Sequence, residues 1–142
     1  MHRGPGQEKR SYIMSRVRSK GSRIEQSVAP VLDSLGQAYQ QHVAALPGKP
    51  DFVLTLLPVA IFVDSCFWHG CTLHCRMPKS NADYWVAKID YNRRRDNRQR
   101  SALRRRGWIV VRLWEHDLAR EAAVRARIAA GMRRASGRAR PA

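Results

Sequence analysis

The sequence predicts one mixed α/β domain, and three observations support this prediction. An unbroken apolar run from Val59 to Val63 is typical of a strand buried on both faces, and it ends in Asp64. A second apolar run, Trp108 to Trp114, follows a long helical pattern that stops at Gly107. A helix between two buried strands is a crossover connection, so the two strands should run parallel and adjacent.

Composition narrows the class of protein. The chain has 142 residues, of which 44% are hydrophobic, so it can build one core without a second domain. Its formal charge of +16 exceeds what solubility requires and indicates a polyanionic partner, most simply nucleic acid. No segment is apolar enough to span a bilayer, and the N-terminus lacks the apolar core of a signal peptide, so we expect a cytoplasmic protein without membrane contacts.

The elements before the first buried strand follow from local signals. Residues 1–21 are basic and contain glycine, which predicts a flexible arm. A helix should begin at Ser22, whose capping box includes Glu25, and end at Gly36. The next run, Ala38 to Val43, predicts an edge strand.

A hairpin should then bring two carboxylates together. The run Phe52 to Thr55 predicts a short strand, joined to the first buried strand by a tight turn at Leu57 and Pro58. In that register Asp51 lies opposite Asp64. Paired carboxylates repel each other unless a cation relieves them, and Mg²⁺ prefers such oxygen ligands. We therefore predict a Mg²⁺ site at Asp51 and Asp64.

Two further helices complete the predicted domain, which spans residues 22–132. The pattern from Ser80 to Arg106 is helical, and it places Asn92 and Asp96 on the stripe that otherwise packs inward. A last helix should cover Leu118 to Met132. The arginine-rich tail, residues 133–142, should be disordered.

All three cysteines lie in one short stretch, which indicates metal more than disulfides. Cys66 and His116 each follow the carboxyl end of a predicted parallel strand, so they should converge beside Cys71, His74 and Cys75. This arrangement predicts a tetrahedral structural Zn²⁺ site, with free buried thiols as the alternative.

Several blocks of the sequence together resemble the very short patch repair (Vsr) DNA mismatch endonucleases, from about Met14 to Asp117. These blocks are Pro50-Asp51, Phe62 to Cys71 with its Cys-Phe-Trp-His run, Asn81 to Trp85, Asn92 to Asp96, and Gly107 to Glu115. The resemblance implies a restriction-endonuclease-like fold, a mixed sheet flanked by helices. It also implies a bacterial enzyme that uses Mg²⁺ to nick one strand beside a T:G mismatch, which initiates repair of deaminated 5-methylcytosine.

The resemblance also implies catalytic roles by position. Asp51 and the main-chain carbonyl of Val63 correspond to metal ligands, and His69 corresponds to the general base. Glu25 and Asp96 correspond to the supporting acid and the histidine-orienting residue. Two alternatives stay open, because Glu25 is also the capping-box partner and His69 also lies among the candidate zinc ligands.

DNA contacts and zinc ligands follow from the same resemblance. Phe67, Trp68 and Trp85 correspond to aromatic residues that wedge into the duplex from the major groove, and Met14 corresponds to a minor-groove probe. The implied zinc ligands are Cys66, Cys71, His74 and His116, with Cys75 as an alternative to His74.

The sequence departs from the family pattern at two of its candidate ligands. Asp64 stands where the best-known pattern has histidine, and His116 stands where it has cysteine. A carboxylate at position 64 suits Mg²⁺ but leaves the role of that histidine in question. The second change is conservative for zinc.

Two other functions compete with a mismatch endonuclease that acts as a monomer on double-stranded DNA. One is a zinc-stabilised basic nucleic-acid-binding module without catalysis, and the other is a restriction-type nuclease of the same fold. The inward Asp96 and the convergence of Asp51 with Asp64 favour an enzyme, because a binding module gains nothing from anions where phosphate must approach.

Zinc and catalysis should separate in two variants. Cys66→Ser should lose the bound Zn²⁺ and lower the thermal unfolding temperature, because this loop is too short and polar to fold unaided.

His69→Ala should keep the metal and lose nicking rate by roughly 10²-fold or more, because imidazole is suited to activate water at neutral pH. Elemental analysis and single-turnover nicking assays measure both effects. Loss of zinc from His69→Ala would instead make His69 a ligand.

Overall fold

A computed structural model describes residues 24–65 and 80–141. In chain order the elements of this part are α1 (residues 24–34), β1 (Tyr39–Gln41), β2 (Phe52–Leu54), β3 (Val59–Asp64), α2 (Ala82–Arg105), β4 (Ile109–Trp114), a 3-10 helix (Glu115–Ala119) and α3 (Glu121–Ala135). The mixed α/β class predicted from the sequence is confirmed. No helix within the described ranges is long and apolar enough to cross a membrane.

The sheet has the strand order β1, β2, β3, β4. β3 and β4 are parallel neighbours, paired from Val59 with Ile109 to Asp64 with Trp114. The predicted crossover through α2 is therefore confirmed, and β1 lies at the edge as predicted. Because both strands run the same way, their carboxyl ends lie at one edge of the sheet.

Every residue of β3 is buried, because helices cover both faces of the sheet. Its side chains alternate. Val59 and Ile61 pack in a core cluster with residues of α1 and α3. Ala60 and Phe62 pack in a second cluster with Leu103 of α2. Asp64 has the same parity as Phe62, so it lies on the α2 face of the sheet.

Glycine ends two helices where the sequence predicted a stop. Gly36 has φ 69° and Gly107 has φ 100°, backbone conformations that residues other than glycine rarely adopt. The N–H of Trp108 then donates to the carbonyl of Leu103 at 3.1 Å, which closes the end of α2. α3 continues to Ala135, beyond its predicted end at Met132.

Arg140, in the C-terminal segment that the sequence predicted to be a disordered tail, contacts the sheet. The guanidinium of Arg140 lies 5.5 Å from the centre of the Trp108 ring, and its Nη2 donates to Gln40 at 3.5 Å. These contacts place Arg140 beside the start of β4 and beside the edge strand β1.

The predicted hairpin register is wrong by two residues. The sequence placed Asp51 opposite Asp64, but Phe52 pairs with Ile61 and Val53 with Ala60, so Asp51 lies opposite Phe62. The turn is wider than predicted because backbone groups of the turn form hydrogen bonds with other parts of the sheet. The N–H of Thr55 donates to Ala38 at 2.9 Å, and the carbonyl of Pro58 accepts from Ile109 at 2.7 Å.

Close approach of α3 to the sheet generates a stability prediction. A Cβ atom at Gly131 would clash with Cγ2 of Val111, a short branched side chain that cannot swing away. Gly131→Ala should therefore lower the free energy of unfolding by about 1 to 3 kcal/mol, although alanine is the better helix former. The exposed Ala126 of the same helix is the control, since Ala126→Gly should cost about 1 kcal/mol through helix propensity alone. Urea unfolding measures both changes, and a more stable Gly131→Ala variant would contradict this account of the packing.

Candidate active site

A cavity of about 510 Å³ lies between the sheet and α2. Its charged lining residues are Lys49, Asp51, Asp64, Arg95, Asp96 and Arg100. They come from the loop before β2, from the end of β3 and from the inward side of α2. The cavity therefore holds three carboxylates and three cationic groups, a balance suited to a phosphate anion that arrives together with a metal cation.

Asp51 is tied to the end of β3. Its Oδ2 accepts a hydrogen bond of 2.6 Å from the main-chain N–H of Val63. The N–H and C=O of a strand residue point to the same side, so the carbonyl of Val63 also lies on the Asp51 side of the strand. One carboxylate and one carbonyl oxygen form a donor set that suits Mg²⁺, which keeps several waters and takes further ligands from phosphate.

Asp64 lies in the same cavity but is paired with two arginines. Nη2 of Arg100 donates to Oδ1 at 2.7 Å, and Nε of Arg112 donates to Oδ2 at 2.6 Å. Only 3% of the Asp64 side chain is exposed. The predicted Mg²⁺ role of Asp64 stays a prediction, and it requires an exchange of one arginine contact for the metal.

The inward stripe of α2 is confirmed. Asn92 and Asp96 are buried, and Nη2 of Arg95 lies 3.5 Å from Oδ1 of Asp96. Asp96 thus reaches the cavity together with its cationic neighbour. Glu25 is exposed on α1, and it is not among the described residues that line the cavity.

The loop before β2 closes one wall of the cavity. Gly48 has φ 79°, and a Cβ atom there would lie 3.0 Å from Cε1 of Phe62. The loop can approach the Phe62 ring this closely because it has glycine at that point. This packing places Lys49 and Asp51 at the cavity.

His116 lies in the 3-10 helix that follows β4. Its Nε2 is 3.6 Å from Oδ1 of Asp117, and its ring is nearly parallel to that of Trp114 at 6.5 Å between centres. The separation from Asp117 is longer than a hydrogen bond, and the zinc-ligand role of His116 stays a prediction. Among residues 24–65 and 80–141, no three His, Cys, Asp or Glu side chains form a group that could hold a metal.

Most of the predicted zinc and DNA contacts lie outside the described residues. These are Met14, Cys66, Phe67, Trp68, His69, Cys71, His74 and Cys75. Trp85 is described, and its half-buried ring meets that of Tyr84 edge to face at 5.0 Å. Tyr84 itself is 59% exposed, so aromatic surface is available at the start of α2.

Arg100 and Arg112 were not predicted from the sequence as site residues. Two signals were present. Arg100 follows Asp96 by one helical turn and so continues the inward stripe, and Arg112 interrupts the apolar run of β4. The sequence pattern did not show that both arginines pair with Asp64, because Asp64 is distant from them along the chain.

Comparison with known proteins identifies relatives of this chain. A family model described as DNA mismatch endonuclease Vsr matches residues 6–76. The type II nicking enzyme V.XorIIP of Xanthomonas oryzae pv. oryzae is 42% identical over 123 residues, which cover 85% of this chain and 90% of that protein. The type II nicking enzyme V.NmeDIP of Neisseria meningitidis serogroup C is 38% identical, covering 78% of this chain and 76% of that protein. The DNA mismatch endonuclease Vsr of Escherichia coli K12 is 37% identical, covering 75% of this chain and 69% of that protein.

Proposed function

Because the chain belongs to the Vsr DNA mismatch endonuclease family, we propose that it uses Mg²⁺ to nick one strand beside a T:G mismatch and so initiates very short patch repair. It is a DNA endonuclease, a hydrolase of the phosphodiester bond. The structural observation that supports the proposal is the position of Asp51, held at the carboxyl end of β3 in a cavity of mixed charge. Function commonly lies at this edge of an α/β sheet.

Asp51 and the main-chain carbonyl of Val63 would hold the catalytic Mg²⁺. When bound, the metal stabilises negative charge on the scissile phosphate and on the leaving oxygen. The metal assignment rests on these two residues, because both oxygens of Asp64 already accept from arginine. Asp96 would orient His69, which would accept the proton of the attacking water.

A second metal would be structural. We assign Zn²⁺ to Cys66, Cys71, His74 and His116, because cysteine and histidine are the ligands that zinc prefers and His116 follows β4, which runs parallel to β3. Four protein ligands leave no open coordination position, so this metal would rigidify the loop without entering the reaction.

Mismatch selection would come from an aromatic wedge of Phe67, Trp68 and Trp85, with Met14 on the opposite groove. Insertion of rings between base pairs costs a few kcal/mol of unstacking, and a mispaired step opens more cheaply than a paired one. The high positive charge of the chain supplies affinity that does not depend on sequence and that weakens with salt. One protein molecule contains every group named here, so we propose that it acts as a monomer.

Asp51→Asn tests the catalytic metal. Asparagine keeps an oxygen that can accept from the N–H of Val63, so the fold should be retained while the metal loses its charged ligand. We expect nicking of a labelled T:G duplex in Mg²⁺ to fall by roughly 10²-fold or more. Binding in EDTA should be equal or tighter, because a repelling anion is gone.

The exposed Asp33 of α1 supplies the matched control, and Asp33→Asn should nick at the unmutated rate. Cleavage by the unmutated protein in EDTA, or full activity of Asp51→Asn, would refute the metal assignment.

Removal of a wedge ring should change selectivity more than affinity. A stacked ring contributes roughly 1 to 3 kcal/mol, so Trp68→Ala and Trp85→Ala should each lower the ratio of mismatched to paired cleavage by about fivefold to about 150-fold. A panel of labelled duplexes, each with one mismatch, measures the ratio. Tyr91→Ala, which removes an exposed ring of α2 outside the wedge, should leave it unchanged.

The same panel decides between the candidate functions. Double-strand cleavage of perfectly paired DNA as fast as of T:G duplex would identify a restriction-type nuclease. Binding to all duplexes without any cleavage would identify a binding module.

A further inference from the structure

Among the described residues, one buried interaction that the nicking chemistry leaves unexplained is an ion triad of Asp64, Arg100 and Arg112. Arg100 donates to one oxygen of Asp64 at 2.7 Å and Arg112 to the other at 2.6 Å. The Asp64 and Arg100 side chains are only 3% and 6% exposed, whereas that of Arg112 is 38% exposed. Two guanidinium groups on one carboxylate leave the triad with a net charge of +1.

This charge balance fits an anion better than a metal. To bind Mg²⁺, Asp64 would have to give up a short charge-assisted hydrogen bond and place the cation beside a guanidinium group. A phosphodiester oxygen needs no such exchange. Arg100 lines the cavity, and the planar fork of its guanidinium group matches the geometry of phosphate oxygens.

Arg100 is also held in place on a second side. Its guanidinium carbon lies 4.7 Å from the centre of the Phe62 ring. That ring is in turn backed by the tight approach of Gly48. Asp64, Phe62 and Arg100 all line the cavity that contains Asp51. A cationic donor fixed before the substrate arrives is the arrangement that stabilises developing charge without reorganisation.

We propose that Arg100 binds the scissile phosphate and that Asp64, braced by Arg112, is the positioning residue that aims it. This role is additional to the family function and rests on the proposed nicking reaction. Asp64 then acts through Arg100, and the Mg²⁺ ligands of the chain are Asp51 and the carbonyl of Val63.

Arg100→Gln tests the phosphate contact. The nicking rate on T:G duplex in saturating Mg²⁺ should fall about 10²-fold. The slope of the logarithm of the binding constant against the logarithm of salt concentration, measured in EDTA, should become shallower by about one, because one phosphate contact is lost. Arg94→Gln is the matched control on the outer face of α2, where the side chain is 73% exposed and paired with Asp90. It should change the rate by less than about twofold, as expected for an exposed pair.

Asp64→Asn separates a positioning role from a metal ligand. Asparagine keeps the size of the side chain but loses the charge that holds two arginines, so we expect the rate to fall about tenfold with the Mg²⁺ midpoint unchanged within about twofold. In the Arg100→Gln background the same change should cause no further loss, because both variants act through one contact. A Mg²⁺ midpoint raised tenfold or more, or additive losses in the double variant, would overturn the proposal.

A purely structural triad predicts a different result. Arg100→Gln would then lower the thermal unfolding temperature while the rate below that temperature and the salt slope stayed unchanged, which would also overturn the proposal. If Arg100→Gln does not fold, Arg100→Lys keeps the charge but loses the planar fork, and the rate should still fall about tenfold. Failure of the unmutated protein to nick T:G duplex would refute the nicking reaction instead, since the salt slope in EDTA tests the phosphate contact without cleavage.

Discussion

The parallel pairing of β3 and β4 is the constraint on which the rest of the structure depends. It aligns Asp64 with Trp114 and so brings both strand ends to one edge of the sheet. A parallel pair needs a long crossover, and α2 fills that requirement while it covers one face. The same helix therefore carries Asp96 and Arg100 to the edge where β3 ends. One topological requirement thus assembles a site from three separate parts of the chain.

The cavity has balanced positive and negative charges, whereas the whole molecule is strongly positive. The formal charge of +16 attracts DNA from a distance, yet the carboxylates of Asp51, Asp64 and Asp96 would repel a phosphate at close range. Separate cationic groups compensate these carboxylates. Asp64 is covered by two guanidinium groups and Asp96 lies beside Arg95, while Asp51 lies at the end of β3 where a metal cation is proposed.

Arg112 contacts both Asp64 at the cavity and Trp114 at the end of β4. Its guanidinium carbon lies 4.0 Å from the centre of the Trp114 ring, and the Trp114 and His116 rings lie nearly parallel. The carboxylate of Asp117 ties this turn together, because it accepts from the N–H of Trp114 at 2.9 Å and faces His116. The ion triad and the proposed zinc ligand thus belong to one packed unit at the end of β4.

The sequence by itself determined the element order, the parallel β3 and β4 strands, the glycine helix stops and the membership in the family, because these depend on short-range periodicity, turn chemistry and a specific motif block. The sequence also indicated two candidate site residues, Asp51, which follows the turn at Pro50, and Asp96, which lies on the inward stripe of α2. The hairpin register and the partners of Asp64 were decided only by the tertiary structure. Thr55 and Pro58 widen the turn by bonding to strands distant in sequence, and Arg100 and Arg112 reach Asp64 only after α2 and β4 have packed against β3. Such contacts arise between residues that no local pattern connects, so the charge that Asp64 presents to the cavity could be known only from the fold.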